Sequence, residues 1–275
     1  MTDLELARKA VSLRKDVTEI ILRGKGGHFG GDFSVMEILV TLYYRHMNVG
    51  PDQVSDPDRD QFILSKGHSV EALYAVLCDR GFLTKELCGS FSQFGSPVIG
   101  HPTNKIRGIE MNSGSLGHGL SVGVGMALAA RMQKRDYRTY VVMGDGELAE
   151  GSVWEGFMAG GHYRLDNLTA VIDRNGLQIS GKTEDVMSQE PMHSRLADFG
   201  WHVIECDGND VRALDRAFTE AKATKGMPSV VLAKTVKGCG YSVAENQAGW
   251  HHKVPSLEQR DEIMRELDER LEKLL

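Results

Sequence analysis

Two short apolar runs in the middle of the 275-residue chain, joined by one helical segment, leave few folds open to it. The runs lie at 140–143 and 168–172, and the segment between them, 150–163, has the length of a helix. Continuously apolar strands connected by such a helix are typical of a βαβ unit in a parallel sheet with a right-handed crossover. The middle of the chain therefore predicts an α/β protein.

The same pattern continues on both sides of this unit. Short apolar runs at 61–65, 201–205 and 229–233 have the composition of further buried strands, whereas 89–115 is rich in Gly, Ser, Asn and Pro and is predicted to be irregular. We predict a three-layer α/β/α fold with a mainly parallel sheet, formed by residues 1–275 as a single domain. Helices are predicted at 3–23, 35–46, 69–80, 117–134, 150–163 and 210–224, with a last helix in a C-terminal tail of about 250–275.

The start of the second predicted helix carries a local signal. Ser34 precedes the helix 35–46, and Glu37 follows three residues later, which is the spacing of a capping box. We expect Ser34 to cap this helix and Glu37 to bond back to it.

The charge balance narrows the possible partners. Lys and Arg number 32 and Asp and Glu 38, a net charge of −6, and no cluster of basic residues is present. We therefore expect neither nucleic acid nor a membrane surface as a partner. The four cysteines form no C-x-x-C pair, the start lacks a signal peptide, and no apolar stretch has the length of a membrane span. These features predict a cytoplasmic protein with reduced thiols.

Polar residues stand where the two central strands are predicted to end. Gly144-Asp145-Gly146 follows the first strand, Asn175 follows the second, and the gap between them is one connection plus one strand, so we expect Asp145 and Asn175 to lie side by side. Their oxygens, with a main-chain carbonyl such as that of Leu177, suit Mg²⁺ or Ca²⁺ bound to a diphosphate. The alternative is that Gly-Asp-Gly is only a turn. The paired spacing favours the metal.

Longer motifs surround these residues in a fixed order. They are Gly144-Asp145-Gly146-Glu147-Leu148-Ala149-Glu150-Gly151, Trp154-Glu155, Ala159-Gly160 and Asp173-Arg174-Asn175, with Ser65-Lys66-Gly67-His68, Gly100-His101-Pro102 and Gly114-Ser115-Leu116-Gly117-His118-Gly119 before them and Trp250-His251-His252-Lys253 after them. Together they resemble the thiamine diphosphate-binding part of the transketolases, and the resemblance covers nearly the whole chain.

The resemblance implies a role for each of these segments. It implies that the metal, Mg²⁺ or else Ca²⁺ or Mn²⁺, is held by Asp145, Asn175 and the carbonyl of Leu177. The implied cofactor-binding residues are His68, Gly114, Ser115, Leu116, Gly144, Asp145, Gly146, Glu147, Glu150, Asn175, Ile179 and His251, with Glu150 near an activating glutamate of a partner. The implied catalytic residues are His28, His68, His101 and His251, because histidine titrates near physiological pH. At the last position, His252 remains an alternative to His251.

The resemblance is to the amino-terminal, diphosphate-binding part of the family alone. The pyrimidine-binding domain, which supplies the activating glutamate in that family, is not in this sequence. The resemblance therefore implies one subunit of a split transketolase, with a separate C-terminal subunit as partner in an α2β2 heterotetramer. The implied reaction moves a two-carbon ketol unit from a ketose, or its phosphate, to an aldose, or its phosphate.

Two other functions stay open. The alpha subunit of a 2-oxo acid dehydrogenase shares the Gly-Asp-Gly to Asn pattern, but polyol sugars need several hydroxyl-binding groups, and the three histidines His28, His68 and His101 favour a sugar. A non-catalytic regulatory protein of the same fold is the second alternative. The near-complete set of cofactor residues argues against it.

Two segments depart from the family pattern. After His28 the family has proline, two small residues and then serine or leucine, whereas this chain has Phe29-Gly30-Gly31-Asp32. After His68, Val70-Glu71 stand in place of a small residue and proline. An aromatic ring and a carboxylate near the substrate channel predict a changed sugar preference. Alternatively, Asp32 satisfies backbone donors at a helix start.

Overall fold

Parallel strands form the central layer of the computed structural model, which describes residues 1–274. Within that range a five-stranded sheet has the order β1-β2-β3-β7-β6, and a separate hairpin pairs β4 with β5. The strands are β1 Gln61–Leu64, β2 Thr139–Gly144, β3 Leu168–Arg174, β4 Leu177–Gln178, β5 Gly181–Lys182, β6 His202–Asp207 and β7 Ser229–Lys234.

Helices cover both faces of the sheet, which confirms the predicted three-layer arrangement. They are α1 Asp3–Gly24, α2 Phe29–Ser34, α3 Met36–Thr41, α4 Val70–Asp79, α5 Lys85–Gly89, α6 Gly119–Met132, α7 Gly151–His162, α8 Thr183–Val186, α9 Met192–Asp198, α10 Val211–Ala223 and α11 Leu257–Lys273. None of the helices in residues 1–274 combines the length and apolarity needed to cross a membrane.

The continuous apolar character of β2 follows from this double cover. Side chains alternate along a strand, so Tyr140 and Val142 pack into the core on one face of the sheet, with α1, α3, α4 and α10. Val141 and Met143 pack into the core on the other face, with α6 and α7. Neither face of the strand is exposed to water, and positions 140–143 are continuously apolar for that reason.

The predicted helix 35–46 is present as α3 and the π-helical turn Leu42–His46 that continues it, but its predicted capping box is wrong. The chain enters α3 from α2 through Val35. Ser34 caps nothing, because its hydroxyl donates to the Asp173 carboxylate at 2.6 Å. Glu37 accepts two hydrogen bonds from the buried Arg14 guanidinium. Both side chains therefore bond in the core to residues that are distant in the sequence.

The other predicted elements are present with ends shifted by a few residues. The last helix begins at Leu257, and Ser256 before it forms a capping box with Gln259. Ile263 and Leu267 of this helix are buried, and α11 packs against α1.

Candidate active site

The carboxyl ends of β2 and β3 bring the Gly-Asp-Gly turn and the Asn175 segment together. Gly144 pairs in register with Asp173, so the residues that follow the two strands are neighbours. The Asp145 carboxylate accepts a hydrogen bond from its own turn, at the N–H of Gly146 (3.0 Å), and another from the N–H of Gly176. Asp145 therefore reaches the turn between Asn175 and Leu177, as the spacing predicted.

The Asp145 carboxyl group is buried, with only 1% of the residue exposed. Burial, and then the negative charge of Asp173, raise its pKa to about 6. A cation at this carboxylate would relieve both effects, because an opposite charge favours the ionised form. Burial beside a second carboxylate, that of Asp173, makes the group a fitting ligand for a divalent ion.

The neighbouring oxygens complete a hard donor set. The Asn175 side chain accepts a hydrogen bond from the Leu177 N–H at 3.2 Å, which holds its amide oxygen on the inside of the turn. Leu177 lies in β4, and Gln189 donates to the main-chain oxygen of Asp145 at 2.6 Å. A carboxylate, an amide oxygen and a main-chain carbonyl suit Mg²⁺ or Ca²⁺. The residues of this turn fit the ion that the resemblance implies.

A buried ion pair that the sequence patterns did not predict lies directly beneath the turn. Lys66 and Asp173 are both fully buried and bonded to each other, and Thr235 also donates to Asp173. Burial raises the pKa of Asp173, but the charge and hydrogen bond of Lys66 outweigh it, and the pKa stays below its usual value. The sequence pattern gives no signal for this pair, since its two residues are 107 positions apart and meet only in the packed core.

Five histidine rings form one cluster, although they come from separate parts of the chain. The His28 ring centroid lies 5.3 Å from that of His68, 6.0 Å from His101, 5.6 Å from His251 and 4.7 Å from His252. The four histidines predicted as catalytic are thus brought together. His252 joins them, so the structure leaves both members of the His251/His252 pair at the cluster.

The electrostatics of this histidine cluster favour an anion. Burial, and then the neighbouring histidines, lower the pKa of His28 to about 4, and burial with Lys237 lowers that of His251 to about 3. The Lys237 ammonium lies 2.9 Å from His251 Nδ1, and burial and Lys66 lower its own pKa to about 8. No carboxylate in residues 1–274 hydrogen-bonds to these rings. A bound phosphate group would supply the missing negative charge.

The main chain at Gly114 lies directly against one of these rings. Its φ of +139° is a conformation that favours glycine, and a Cβ atom there would lie 2.8 Å from His101 Cδ2. Gly114 therefore presents its backbone directly to the His101 ring.

Three of the predicted cofactor residues lie in other environments. Glu147 is buried and accepts hydrogen bonds from Ser65, from the Gly117 N–H (2.9 Å) and from the Gly144 N–H (3.2 Å), so it connects three separate segments of the chain. Glu150 is exposed at the start of α7. Ile179 is 74% exposed on the β4–β5 hairpin. Glu150 and Ile179 are exposed, as expected of residues that a cofactor or a second chain would cover.

Residues 7–266 match the family model described as transketolase, thiamine diphosphate binding domain. The chain is 51% identical over 261 residues to an apulose-4-phosphate transketolase subunit of Phocaeicola vulgatus, covering 95% of this chain and 93% of that protein. It is 39% identical over 250 residues to the 6-deoxy-6-sulfo-D-fructose transketolase subunit SqwG of Clostridium sp., covering 90% and 91%.

A solved structure of a transketolase variant from Pichia stipitis superimposes with a TM-score of 0.90 at 31% identity, over 95% of this chain and 40% of that one. A transketolase from Leishmania mexicana gives a TM-score of 0.86 at 28% identity, over 100% of this chain and 46% of that one. The chain thus spans less than half the length of these solved transketolases but nearly all of the subunits named above.

Proposed function

The chain belongs to the transketolase family, through its thiamine diphosphate-binding domain, and on this premise we propose that it is the cofactor-binding subunit of a two-chain transketolase. The observation that carries the proposal is that Lys237 connects two groups of residues: it is bonded to His251 of the histidine cluster, and it senses the charge of Asp145, which is bonded to the 175–177 turn. The proposed reaction is transfer of a two-carbon ketol unit from a ketose to an aldose. Residues 1–275 are proposed to act as one domain.

Thiamine diphosphate and a divalent ion, with Mg²⁺ as the first choice and Ca²⁺ or Mn²⁺ as alternatives, are the proposed cofactors. When bound, thiamine diphosphate supplies the carbanion chemistry that breaks and forms carbon–carbon bonds beside a carbonyl. Asp145, Asn175 and the Leu177 carbonyl hold the ion, and the N–H of Gly146 meets the diphosphate. The Gly114–Leu116 backbone and Ile179 line the cofactor ring.

The histidines are proposed to have two roles, one toward the diphosphate and one toward the substrate. His68 and His251 lie closest to the two lysines and are proposed to face the diphosphate, with Lys237 as a further, unpredicted cation. His28 and His101 are proposed to hydrogen-bond substrate hydroxyls and to move their protons. Burial lowers the pKa of both, so each ring is a neutral acceptor at pH 7.

A second polypeptide that carries the pyrimidine-binding domain and the activating glutamate is the proposed partner, in an α2β2 heterotetramer. Exposed apolar side chains on the outer helices support a covered face, since Val122 and Met132 of α6 and Met158 of α7 are at least 37% exposed. The relatives are themselves named as transketolase subunits, which supports a two-chain enzyme. Four free thiols in the described residues support a reducing, cytoplasmic location.

Apulose 4-phosphate is the first donor to test, because the relative at 51% identity is named for it. The experiment is ketol transfer by the co-expressed two-chain complex, followed by identification of both products, with Asp145→Asn as the inactive variant. We expect transfer to need both chains and to stop in the variant. Turnover by this chain alone, or decarboxylation of a 2-oxo acid without ketol transfer, would contradict the proposal.

A further inference from the structure

Two carboxyl groups, those of Asp32 and Glu71, meet in the interior next to the histidine cluster. Both residues are completely buried, and their side chains lie within hydrogen-bonding reach of each other. Asp32 belongs to α2, which begins directly after His28, and Glu71 belongs to α4, three residues after His68. The pair therefore bridges the two segments that carry these histidines.

The hydrogen bonds around the pair are incomplete. Asp32 Oδ1 accepts from the Ala72 N–H at 3.0 Å, but Oδ2 of Asp32 and both carboxyl oxygens of Glu71 have no partner among residues 1–274. A buried polar atom without a partner is costly. One proton between the two side chains would give each carboxyl group a partner, whereas two ionised carboxylates would repel each other.

No cation within residues 1–274 balances the pair. The Lys66 ammonium acts on Asp32 but is itself bonded to Asp173, and no lysine among the described residues acts on Glu71. The other polar groups near the carboxyls are the main-chain N–H groups of His28 and of Glu71 itself, while the Tyr74 hydroxyl donates to the Ile99 carbonyl. Burial raises the pKa of both carboxyls, and for Glu71 the charge of Asp32 raises it further. A protonated member at neutral pH is consistent with the geometry.

We propose that Asp32 and Glu71 share one proton and act as positioning residues, which fix the His28 segment against the His68 turn. Both residues lie in the two segments where the sequence departs from the family pattern, and the structure brings the two departures into contact. One carboxyl group alone at this place would be an unpaired buried acid. The effect on ketol transfer rests on the proposed function, but the shared proton does not.

The test compares Glu71→Gln, Asp32→Asn and Glu71→Leu with Glu86→Gln, which changes an exposed glutamate on α5. A carboxyl whose pKa is raised in the folded state stabilises the protein at low pH, and that stability is lost as the pH rises toward the folded pKa. The thermal midpoint of Glu71→Gln relative to the unmodified chain should therefore increase between pH 5 and pH 7. The expected increase is about 2 °C per unit of raised pKa.

The second measurement is ketol transfer by the two-chain complex at pH 7. An amide at position 71 still hydrogen-bonds to Asp32, so Glu71→Gln should keep kcat within about twofold, while Glu71→Leu should lose about tenfold or more in kcat because His28 is no longer held in place. Rescue by the conservative variant separates positioning from a general loss of packing.

Either of two results would overturn the shared proton. One is a Glu71→Gln midpoint difference that is as flat with pH as that of Glu86→Gln, with Asp32→Asn equally flat. The other is a Glu71→Gln chain that does not fold, since the amide removes only the charge. The thermal measurement needs no partner or cofactor, so it stands even if the complex shows no ketol transfer.

Discussion

At the scale of single residues, the candidate site is defined by side chains whose surroundings disfavour their charged forms. Asp145 is a buried acid with a raised pKa, and His28 and His251 are buried bases with lowered pKa values. Each shift has burial as its largest cause, and each would be reversed by a ligand of opposite charge. A divalent ion at Asp145 and a diphosphate at the histidine cluster would satisfy all three.

Removing the carboxylate of Asp145 should abolish cofactor retention. Asp145→Asn keeps the shape of the turn but loses the charged metal ligand, so we expect thiamine diphosphate with Mg²⁺ to bind about 100-fold more weakly or worse. Isothermal titration of the two-chain complex measures this. Asp261→Asn, an exposed change on α11, should leave the affinity unaltered. Equal affinities in the two variants would remove Asp145 from the metal site.

Gly114 should tolerate no side chain. Gly114→Ala places a methyl group 2.8 Å from the His101 ring at a φ of +139°, so the ring must shift, and we expect kcat to fall by about 10-fold or more. Gly100→Ala is the matched control in the same loop, because its methyl group would meet nothing within 4 Å. Steady-state kinetics that show equal rates for both variants would contradict the proposed role of this backbone.

At the scale of helices and strands, hydrophobic periodicity predicted most of the fold. The strands β2 and β3 and the helices α6 and α7 lie where the apolar pattern predicts them, because the residues that each element buries follow one another in a local pattern along the sequence. The capping box at Ser34 and Glu37 failed, since a local motif cannot reveal Asp173 and Arg14 as stronger partners. Hydrogen bonds to residues distant in the sequence determine where the Ser34 and Glu37 side chains lie.

The candidate site was predictable in part for the same reason. Asp145 and Asn175 follow strands whose adjacency the sequence indicates, so their proximity could be derived. Two other contacts could not be derived, that of His252 with His28 and that of Asp32 with Glu71. They depend on the paths of the connecting loops, which no periodicity predicts. The buried pair of Lys66 and Asp173 likewise becomes visible only in the packed core.

The ion pair of Arg14 and Glu37 should matter for the packing of α1 against α3. Both side chains are at most 9% exposed, so removing one partner leaves a buried charge. Glu37→Leu should lower the free energy of unfolding by about 3–5 kcal/mol, measured by urea titration. Glu19→Leu, which breaks an exposed pair with Arg260, should cost about 1 kcal/mol or less. Similar losses would mean that Arg14 is stabilised by other groups.

At the scale of the whole molecule, the proposed two-chain enzyme needs a surface on this chain for its partner to cover. Ile179 at the cofactor turn and Met158 on α7 are exposed apolar residues that a second chain would cover. The solved transketolases are more than twice as long as the region that matches this chain. One edge of the sheet thus carries the proposed cofactor site, and the neighbouring helices present an uncovered apolar face.

A charge on that face should weaken assembly. Met158→Lys would place an ammonium group in an apolar contact, and we expect the affinity for the partner chain to fall by about 10-fold or more while the chain stays folded. Met227→Lys, a comparably exposed change in the loop before β7, is the control. Analytical ultracentrifugation of the two-chain mixture compares them, and equal association would place the interface elsewhere.

Native mass spectrometry of the complex purified through a tag on this chain tests the central claim most directly. We expect a second polypeptide in equal number, with one thiamine diphosphate and one divalent ion for each copy of this chain. The same chain recovered alone and without cofactor, under conditions that preserve protein complexes, would contradict the two-chain transketolase.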